Sequence, residues 1–151
     1  MDNPIGMDIR QPRFGWQLTS DKRNVLQTAY EIRVSDNESG LKSGKEIVWN
    51  SGKIASDSSV NVSYKGSRLQ SGKRYYWQVR VWDNMNKASG WSKSSFFQMA
   101  LLDPSDWKAK WIEPGYKEDS ILRPSPMFRK KFTSRKNIRS AIIYITAHGL
   151  Y

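Results

Sequence analysis

The chain has 151 residues, of which 38% are hydrophobic and 13% aromatic, enough to bury the core of one ordinary domain and part of another. It contains no cysteine, which excludes disulfides and thiolate metal sites. Cysteine usage therefore does not indicate whether the protein works in an oxidising or a reducing compartment. No apolar run reaches the roughly 18 residues that span a membrane. No signal peptide opens the chain, so a periplasmic or extracellular protein would need a signal outside this sequence.

The charge is strongly basic, because 25 Lys and Arg residues against 14 Asp and Glu give a formal net charge of +11. The excess is densest in residues 127–139 (MFRKKFTSRKNIR), which carry six basic side chains and no acid. Such a patch suits a nucleic acid, but no nucleic-acid-binding motif accompanies it. We therefore expect no nucleic-acid partner and assign these side chains to a solvated strand and turn, or to a face that meets an acidic partner domain.

Strand patterns dominate the first part of the chain. Apolar and polar residues alternate in FGWQL, AYEIRVSD and VNVSY, and EIVWN places Ile47 and Trp49 before a turn at Asn50-Ser51-Gly52. The alternation predicts an inward row made of Phe14, Trp16, Leu18, Tyr30, Ile32, Val34, Ile47, Trp49, Val60, Val62 and Tyr64. No window shows the 3.6-residue period of an amphipathic helix, so no helix is predicted.

The densest aromatic stretch is LQSGKRYYWQVRVWD, residues 69–83. A period of two places one row of side chains in the core, namely Tyr75, Trp77, Val79 and Val81. The opposite row mixes polar and aromatic groups, namely Tyr76, Gln78, Arg80 and Trp82. We expect a strand whose outer surface is half wet or covered by a neighbouring domain. A last strand follows in WSKSSFFQMALL.

The spacing between Leu69 and Tyr75 favours one class of β-sandwich. Leu69 precedes Tyr75 by six residues across a Ser-Gly turn, which is similar to the corner between strands E and F of fibronectin type III domains. There a tyrosine hydroxyl bonds back to nearby backbone, because a buried ring gains apolar area only if its hydroxyl keeps a partner. With six or seven short strands, this predicts an all-β fold, a fibronectin type III or immunoglobulin-like β-sandwich.

The residues offer no hydrolytic or metal centre. Inversion at a glycoside needs two carboxyl groups roughly 6.5–9.5 Å apart in a cleft, whereas acids such as Asp36, Glu38 and Asp83 fall in turns or on polar strand faces. His148 is the only histidine, which excludes a His-based triad and a multi-histidine metal site. We expect no catalytic residue, no metal and no cofactor in this chain.

The candidate contact residues are aromatic: Tyr76, Trp82, Trp91, Trp107 and Trp111. One interpretation is a structural module whose outward rings and linker tryptophans pack against another domain. The alternative is a carbohydrate-binding module in which Tyr76, Trp82 and Trp91 stack on sugar faces. In fibronectin-like domains the GWS stretch near Trp91 opens the last strand, where a tryptophan often covers a core edge, and this favours the first interpretation.

A family resemblance rests on the order of several segments: PRFGWQL, VWNSGKIASDSSVNVSYKG, YYWQVRVWDNMNKASGWS, DWKAKWIEP, PSPMFRKKF and IRSAIIYITAHGLY. Each segment alone is weak evidence, but their succession is specific. Over essentially its whole length, the chain resembles the N-terminal region of bacterial α-L-rhamnosidases of glycoside hydrolase family 78.

The resemblance implies a multidomain enzyme that removes terminal L-rhamnose with inversion, using carboxylates in a helical toroid domain that this sequence does not include. It implies a fibronectin-like sandwich over 1–102 that leads into the first strands of a second sandwich over 127–151. Between them, the four prolines of residues 103–126 predict a connector anchored on the first sandwich by Trp107 and Trp111. The implied partners are the other domains of the enzyme and rhamnose-containing carbohydrate. Because strands without their sheet are marginal, we expect 127–151 to be frayed or paired with a second copy of the chain.

Overall fold

The computed structural model describes residues 3–117, 119, 121–122, 125–134, 137–138 and 140–147. By its internal contacts the chain divides into two compact units, Met1–Ala109 and Lys110–Tyr151. The first unit holds every strand and helix formed by the described residues.

The first unit contains eight strands and two short helices. The strands are β1 (Ile5–Met7), β2 (Arg13–Phe14), β3 (Gln27–Ser35), β4 (Trp49–Asn50), β5 (Ile54–Ala55), β6 (Val62–Ser63), β7 (Arg74–Asp83) and β8 (Ser95–Met99). The helices are α1 (Glu38–Ser43) and a 3-10 turn at Pro104–Asp106.

Two sheets enclose the core. The large sheet has the order β1-β8-β7-β3-β4, and β5 also pairs with β3; the second sheet consists of β2 and β6. The pair β1–β8 is parallel, and the other pairs are antiparallel. The long strands β3 and β7 run side by side from Gln27 opposite Asp83 to Ser35 opposite Tyr76.

The core contains the residues that alternation along the strands predicts. Ile32 and Val34 are fully buried, and Tyr75, Trp77 and Val79 are 3–6% exposed. The buried cluster comprises Phe14, Trp16, Ile32, Val34, Tyr64, Leu69, Tyr75, Trp77, Val79, Phe97 and Met99. Side chains from both sheets therefore meet in one apolar layer, as in a sandwich.

The predicted tyrosine corner is confirmed. The backbone N–H of Gln70 donates to the Tyr75 hydroxyl at 3.0 Å, and Leu69 is 2% exposed. A second buried tyrosine is also satisfied by main chain, but as a donor, since the Tyr64 hydroxyl donates to the carbonyl of Ser67 at 3.0 Å. Burial raises the pKa of Tyr64 to about 12. Both rings thus enter the core with their hydroxyls hydrogen-bonded to main chain.

The structure contradicts the predicted burial of two residues of the inward row. Leu18 is 47% exposed and Val60 is 65% exposed. The cause is strand length: β2 ends at Phe14, and β6 covers only Val62–Ser63, so the period-two rule no longer applies at either position. Alternation outside a paired strand does not determine which side faces the core.

The prediction that no helix forms is also wrong, because α1 follows β3. The side chain of Asn37 accepts from the N–H of Gly40 at the start, and Gly44 ends the helix in the left-handed region at φ 72°. Glu38 and Lys42 form an (i, i+4) ion pair at 2.8 Å, and Leu41 is fully buried. The helix has six residues, too few for a periodic pattern to appear.

The second unit has no strand among its described residues. The strands predicted within residues 127–132 and 142–147 are therefore not formed there, consistent with the need of a strand for a partner. Most large apolar side chains described in this unit are exposed, including Ile121 at 89% and Phe132 at 86%. The boundaries 1–102, 103–126 and 127–151 stay predictions, and His148 lies outside the described residues.

Candidate functional site

The outer face is the surface of β3, β7 and β8 that points away from the core. Its side chains are Glu31, Arg33, Tyr76, Gln78, Arg80, Trp82, Phe96 and Gln98. Tyr76 and Trp82 are half-buried, as the alternation predicts, while Trp77 on the opposite side is 6% exposed. Register places Glu31 opposite Arg80 and Tyr76 opposite Phe96.

Two tryptophans on this side of the sheet, Trp82 and Trp91, have cationic side chains over their rings. Arg33 is 4.1 Å and Arg80 is 4.8 Å from the ring centroid of Trp91. Lys53 and Arg80 lie 4.7 and 5.0 Å from the ring centroid of Trp82. All four distances are within the roughly 6 Å over which a ring quadrupole attracts a cation. The three cations and two rings form one continuous stack, which we call the cation–π ladder.

Beneath the cation–π ladder lies a buried polar layer. The Glu31 carboxylate accepts from the Arg80 guanidinium at 2.6–2.7 Å, and Glu31 is 7% exposed. Arg33 donates to the Gln78 side chain at 2.9 Å. Burial and the neighbouring Arg80 lower the pKa of the Arg33 guanidinium, and Glu31 opposes that shift. The side chains of the outer face therefore contact one another, while Tyr76, Arg80 and Trp82 stay partly exposed, as expected for a half-wet surface.

Trp91 is positioned by the loop between β7 and β8. The hydroxyl of Ser92 accepts from the N–H of Val79 at 3.2 Å, and that of Ser89 accepts from the N–H of Val81 at 3.1 Å. The N–H groups of the same two serines donate to the carbonyls of Val81 and Val79, so the loop runs beside β7 and pairs with its edge. Trp91 consequently covers the outer face, and the expectation that it covers a core edge is corrected.

The ring faces of these tryptophans are already engaged. A sugar stacking on Trp82 or Trp91 would compete with the guanidinium and ammonium groups that lie over the rings. Tyr76 packs against Phe96 with ring centroids 6.2 Å apart, and Arg74 lies over Phe96 at 4.2 Å. The geometry favours a structural or docking role for these aromatics over sugar stacking.

A cluster of polar side chains fixes the segment that follows β8. Asp103 accepts from Arg10 at 2.7 Å and from Arg68 at 2.9 Å, and Arg10 also donates to the carbonyl of Leu102 at 2.7 Å. Asp106 accepts from the Ser71 hydroxyl and from the N–H of Asp103. These hydrogen bonds, the one from Ser71 first, lower the pKa of Asp106. We call this cluster the exit clamp.

The four predicted aromatics of the first unit do not form one cluster. Trp82 and Trp91 share the Arg80 guanidinium, and Tyr76 lies on the same outer face. Trp107 directly follows the exit clamp and is 37% exposed. Trp111 belongs to the second unit and is 62% exposed. Within the first unit, the predicted contact residues therefore lie on the outer face and beside the exit clamp.

Sequence reasoning missed the partners of these rings. Arg33 and Lys53 come from segments distant in sequence from Trp82 and Trp91, and Glu31 meets Arg80 across two strands. The only local signal was the alternation that puts Arg80 and Trp82 on one side of β7. Cross-strand register, which the sequence does not show, supplies the rest.

Neither a metal centre nor a membrane span is found in the described part of the chain. Among these residues, no group of three or more His, Cys, Asp or Glu side chains could hold a metal ion. No helix described there is long and apolar enough to cross a bilayer.

A family model described as the Rha78A-like, N-terminal immunoglobulin domain matches residues 1–103. The chain belongs to this family. Membership confirms the predicted immunoglobulin-like β-sandwich and the predicted resemblance to the N-terminal region of α-L-rhamnosidases.

Individual α-L-rhamnosidases also match this chain. An α-L-rhamnosidase of Formosa agariphila is 35% identical over 99% of this chain and 18% of its own length. The crystal structure of Streptomyces avermitilis α-L-rhamnosidase complexed with L-rhamnose is 42% identical, with a TM-score of 0.70 over 75% of this chain and 11% of that one. The α-L-rhamnosidase from Dictyoglumus thermophilum is 37% identical, with a TM-score of 0.71 over 74% and 12%. The chain thus spans less than a fifth of the relatives it matches.

Proposed function

We propose that this chain is the non-catalytic N-terminal β-sandwich of an α-L-rhamnosidase that removes terminal L-rhamnose from glycans or glycosides with inversion, and that its role is structural. The observation that carries the proposal is the match of an immunoglobulin-like domain to 11–18% of several α-L-rhamnosidases. In the sandwich, carboxylates such as Glu31 and Asp103 are engaged by arginines. They hold the fold together and are not arranged as an acid and a base around a sugar.

Activity assays test whether the 151-residue chain lacks the hydrolytic activity proposed for the whole enzyme. The 151-residue chain is expected to show no hydrolysis of an aryl α-L-rhamnoside above buffer. The protein encoded by the complete reading frame is expected to hydrolyse it and to release the inverted anomer first, as seen by NMR. Turnover by the 151-residue chain that disappears on changing a single Asp or Glu would contradict the proposal.

Docking onto other domains of the enzyme is the structural role we favour. The exit clamp bonds the chain to the sandwich as far as Asp106, and Trp107 follows it with more than a third of its surface exposed. An exposed indole next to a fixed segment is suited to pack against a neighbouring domain, since Trp is enriched at interfaces. Trp111, Tyr76, Trp82 and Trp91 are further candidates for such contacts.

A pair of substitutions tests docking. Trp107→Ser is expected to lower the unfolding temperature of the whole enzyme by more than it lowers that of the 151-residue chain. Met85→Ser, at a residue 63% exposed in the β7–β8 loop, is the control and is expected to change neither. An equally small effect of Trp107→Ser on both proteins would contradict docking through this residue.

The second unit supports a related proposal about partners. Its described apolar side chains are largely exposed, among them Leu122 at 79%, Met127 at 98% and Ile143 at 82%. Apolar surface of this extent is covered in an assembled protein. In the enzyme the cover is further chain; in the 151-residue chain alone it is the same segment of a second molecule, giving a homodimer.

A further inference from the structure

A groove lies at the edge of the sandwich, away from the outer face. It is bordered by β3, β4 and β5 of the large sheet and by β6 and the loop before it, and its volume is about 400 Å³. This volume falls within the roughly 300–1,000 Å³ typical of small-molecule sites. We call it the edge groove.

The apolar part of the edge groove is rigid. Tyr30 and Trp49 line it and are half-buried. Tyr30 packs edge-on against Trp16 with centroids 5.2 Å apart, and Trp49 packs edge-on against Tyr64 at 5.0 Å. Because the core holds both rings from behind, their groove-facing parts are fixed surfaces that need no ordering when a ligand binds.

The polar part of the edge groove comes largely from β6 and the residues that flank it. Asn61, Ser63 and Lys65 are spaced two residues apart and all line the groove. Within the described residues, the structure gives the side chains of these three no hydrogen bond or ion pair, and the Tyr30 hydroxyl has none either. An amide, two hydroxyls and an ammonium group are therefore available to a ligand.

The chemical character of the residues that line the edge groove favours one class of ligand. Aromatic rings beside hydroxyl and amide groups suit a molecule with an apolar C–H face and a rim of hydroxyls, which describes a sugar. No lining residue of the edge groove is acidic, and Lys65 can donate to a sugar hydroxyl or carboxylate. A peptide strand is disfavoured, because β4, β5 and β6 have two residues each and offer too short an edge for strand addition.

We propose that the edge groove binds one or two residues of a saccharide. The site differs from the cation–π ladder in every residue, and the argument for it does not depend on the enzyme to which the chain belongs. Only the choice of an L-rhamnoside as first probe rests on the proposed function. The module then has a binding role in addition to docking.

An amide NMR titration of the 151-residue chain tests the proposal. The probes are methyl α-L-rhamnoside, methyl α-D-glucoside and D-glucuronate, which distinguish L-rhamnose, a neutral hexose and an acidic sugar. At least one probe is expected to produce saturable shifts centred on residues 49–51 and 60–65. The absence of saturable shifts with all three, or shifts centred on Trp82 and Trp91, would overturn it.

Matched variants separate binding from folding. Asn61→Gly removes the amide at φ 57° without backbone strain, and Asn24→Gly makes the same change at the same φ outside the groove. Tyr30→Phe removes the groove hydroxyl but keeps the ring, and Tyr76→Phe is its control on the outer face.

Each groove variant is expected to keep the dispersed spectrum of the folded chain and to bind about tenfold more weakly, the effect of one lost hydrogen bond. The controls are expected to bind normally. Unchanged affinity in both groove variants would overturn the site, even if the sugar binds elsewhere on the chain.

Discussion

Individual side chains in this sandwich differ in what they contribute, even where they are adjacent in sequence. Tyr75 and Trp77 point into the core, whereas Tyr76 points to the outer face. The Tyr75 hydroxyl is bonded to the N–H of Gln70, while the structure gives the hydroxyl of Tyr76, which lies in the described region, no hydrogen bond. Chemically similar substitutions at neighbouring positions should therefore have different effects on the free energy of unfolding.

Tyr75→Phe tests the corner. The change leaves the Gln70 N–H without its acceptor, so we expect a loss of about 1–2 kcal/mol in the free energy of unfolding. Tyr76→Phe is the control, with an expected change below about 0.5 kcal/mol. Urea denaturation measures both, and an equal effect of the two substitutions would contradict the role assigned to the Tyr75 hydroxyl.

Trp77→Ala and Trp82→Ala test the two sides of β7. Trp77 is 6% exposed and its ring centroid lies 4.8 Å from that of Phe14, so its removal is expected to cost about 3–5 kcal/mol through the cavity it leaves. Trp82 is half-buried on the outer face and interacts mainly with Lys53 and Arg80, so its loss should cost about 1 kcal/mol. Similar losses in chemical denaturation would disprove the assignment of sides.

Between elements, the strongest polar contact joins β3 and β7. Glu31 and Arg80 are opposite one another in register, and the carboxylate is almost completely buried under the cation–π ladder. A buried ion pair does not by itself indicate net stabilisation, but removal of one partner leaves a charge that is poorly solvated. The pair is therefore best tested by comparing single and double substitutions.

Arg80→Met is expected to cost about 2–4 kcal/mol, less than for a fully buried pair because the arginine is about one-third exposed. The double variant Glu31→Met/Arg80→Met is expected to recover most of that loss, since no unpaired carboxylate remains. Arg74→Met, which removes a cation over Phe96 but leaves no buried acid, is the control. A double variant that is less stable than Arg80→Met would show that the pair itself is net stabilising.

The sequence predicted some elements better than others for identifiable reasons. Alternation placed Tyr75, Trp77 and Val79 correctly because β7 is a long strand paired on both sides. It failed at Leu18 and Val60, which lie outside two-residue strands. The cation–π ladder could not be predicted, because it depends on which strands are neighbours. Helix α1 carried local signals at its two ends, an Asn and a Gly, but no hydrophobic period.

At the scale of the whole molecule, the two units differ in the fraction of their apolar side chains that is buried. The first buries a core of aromatic and aliphatic side chains between two sheets and closes its last strand with the exit clamp. The second exposes most of its described apolar residues. Since a unit that buries little apolar area contributes little to cooperative folding, the stability of the chain should reside in Met1–Ala109.

Shortening the chain tests this partition. A chain that ends at Ala109 is expected to unfold at the same urea concentration as the 151-residue chain when both are dilute, because it keeps the core and the exit clamp. At higher concentration the 151-residue chain is expected to elute as a dimer and the shortened chain as a monomer, since only the former carries the exposed apolar tail. Phe132→Ser, at a residue 86% exposed, should weaken dimerisation without changing stability. If the 151-residue chain stays monomeric and shortening lowers its stability, the second unit is part of the folded sandwich and both the partition and the homodimer are wrong.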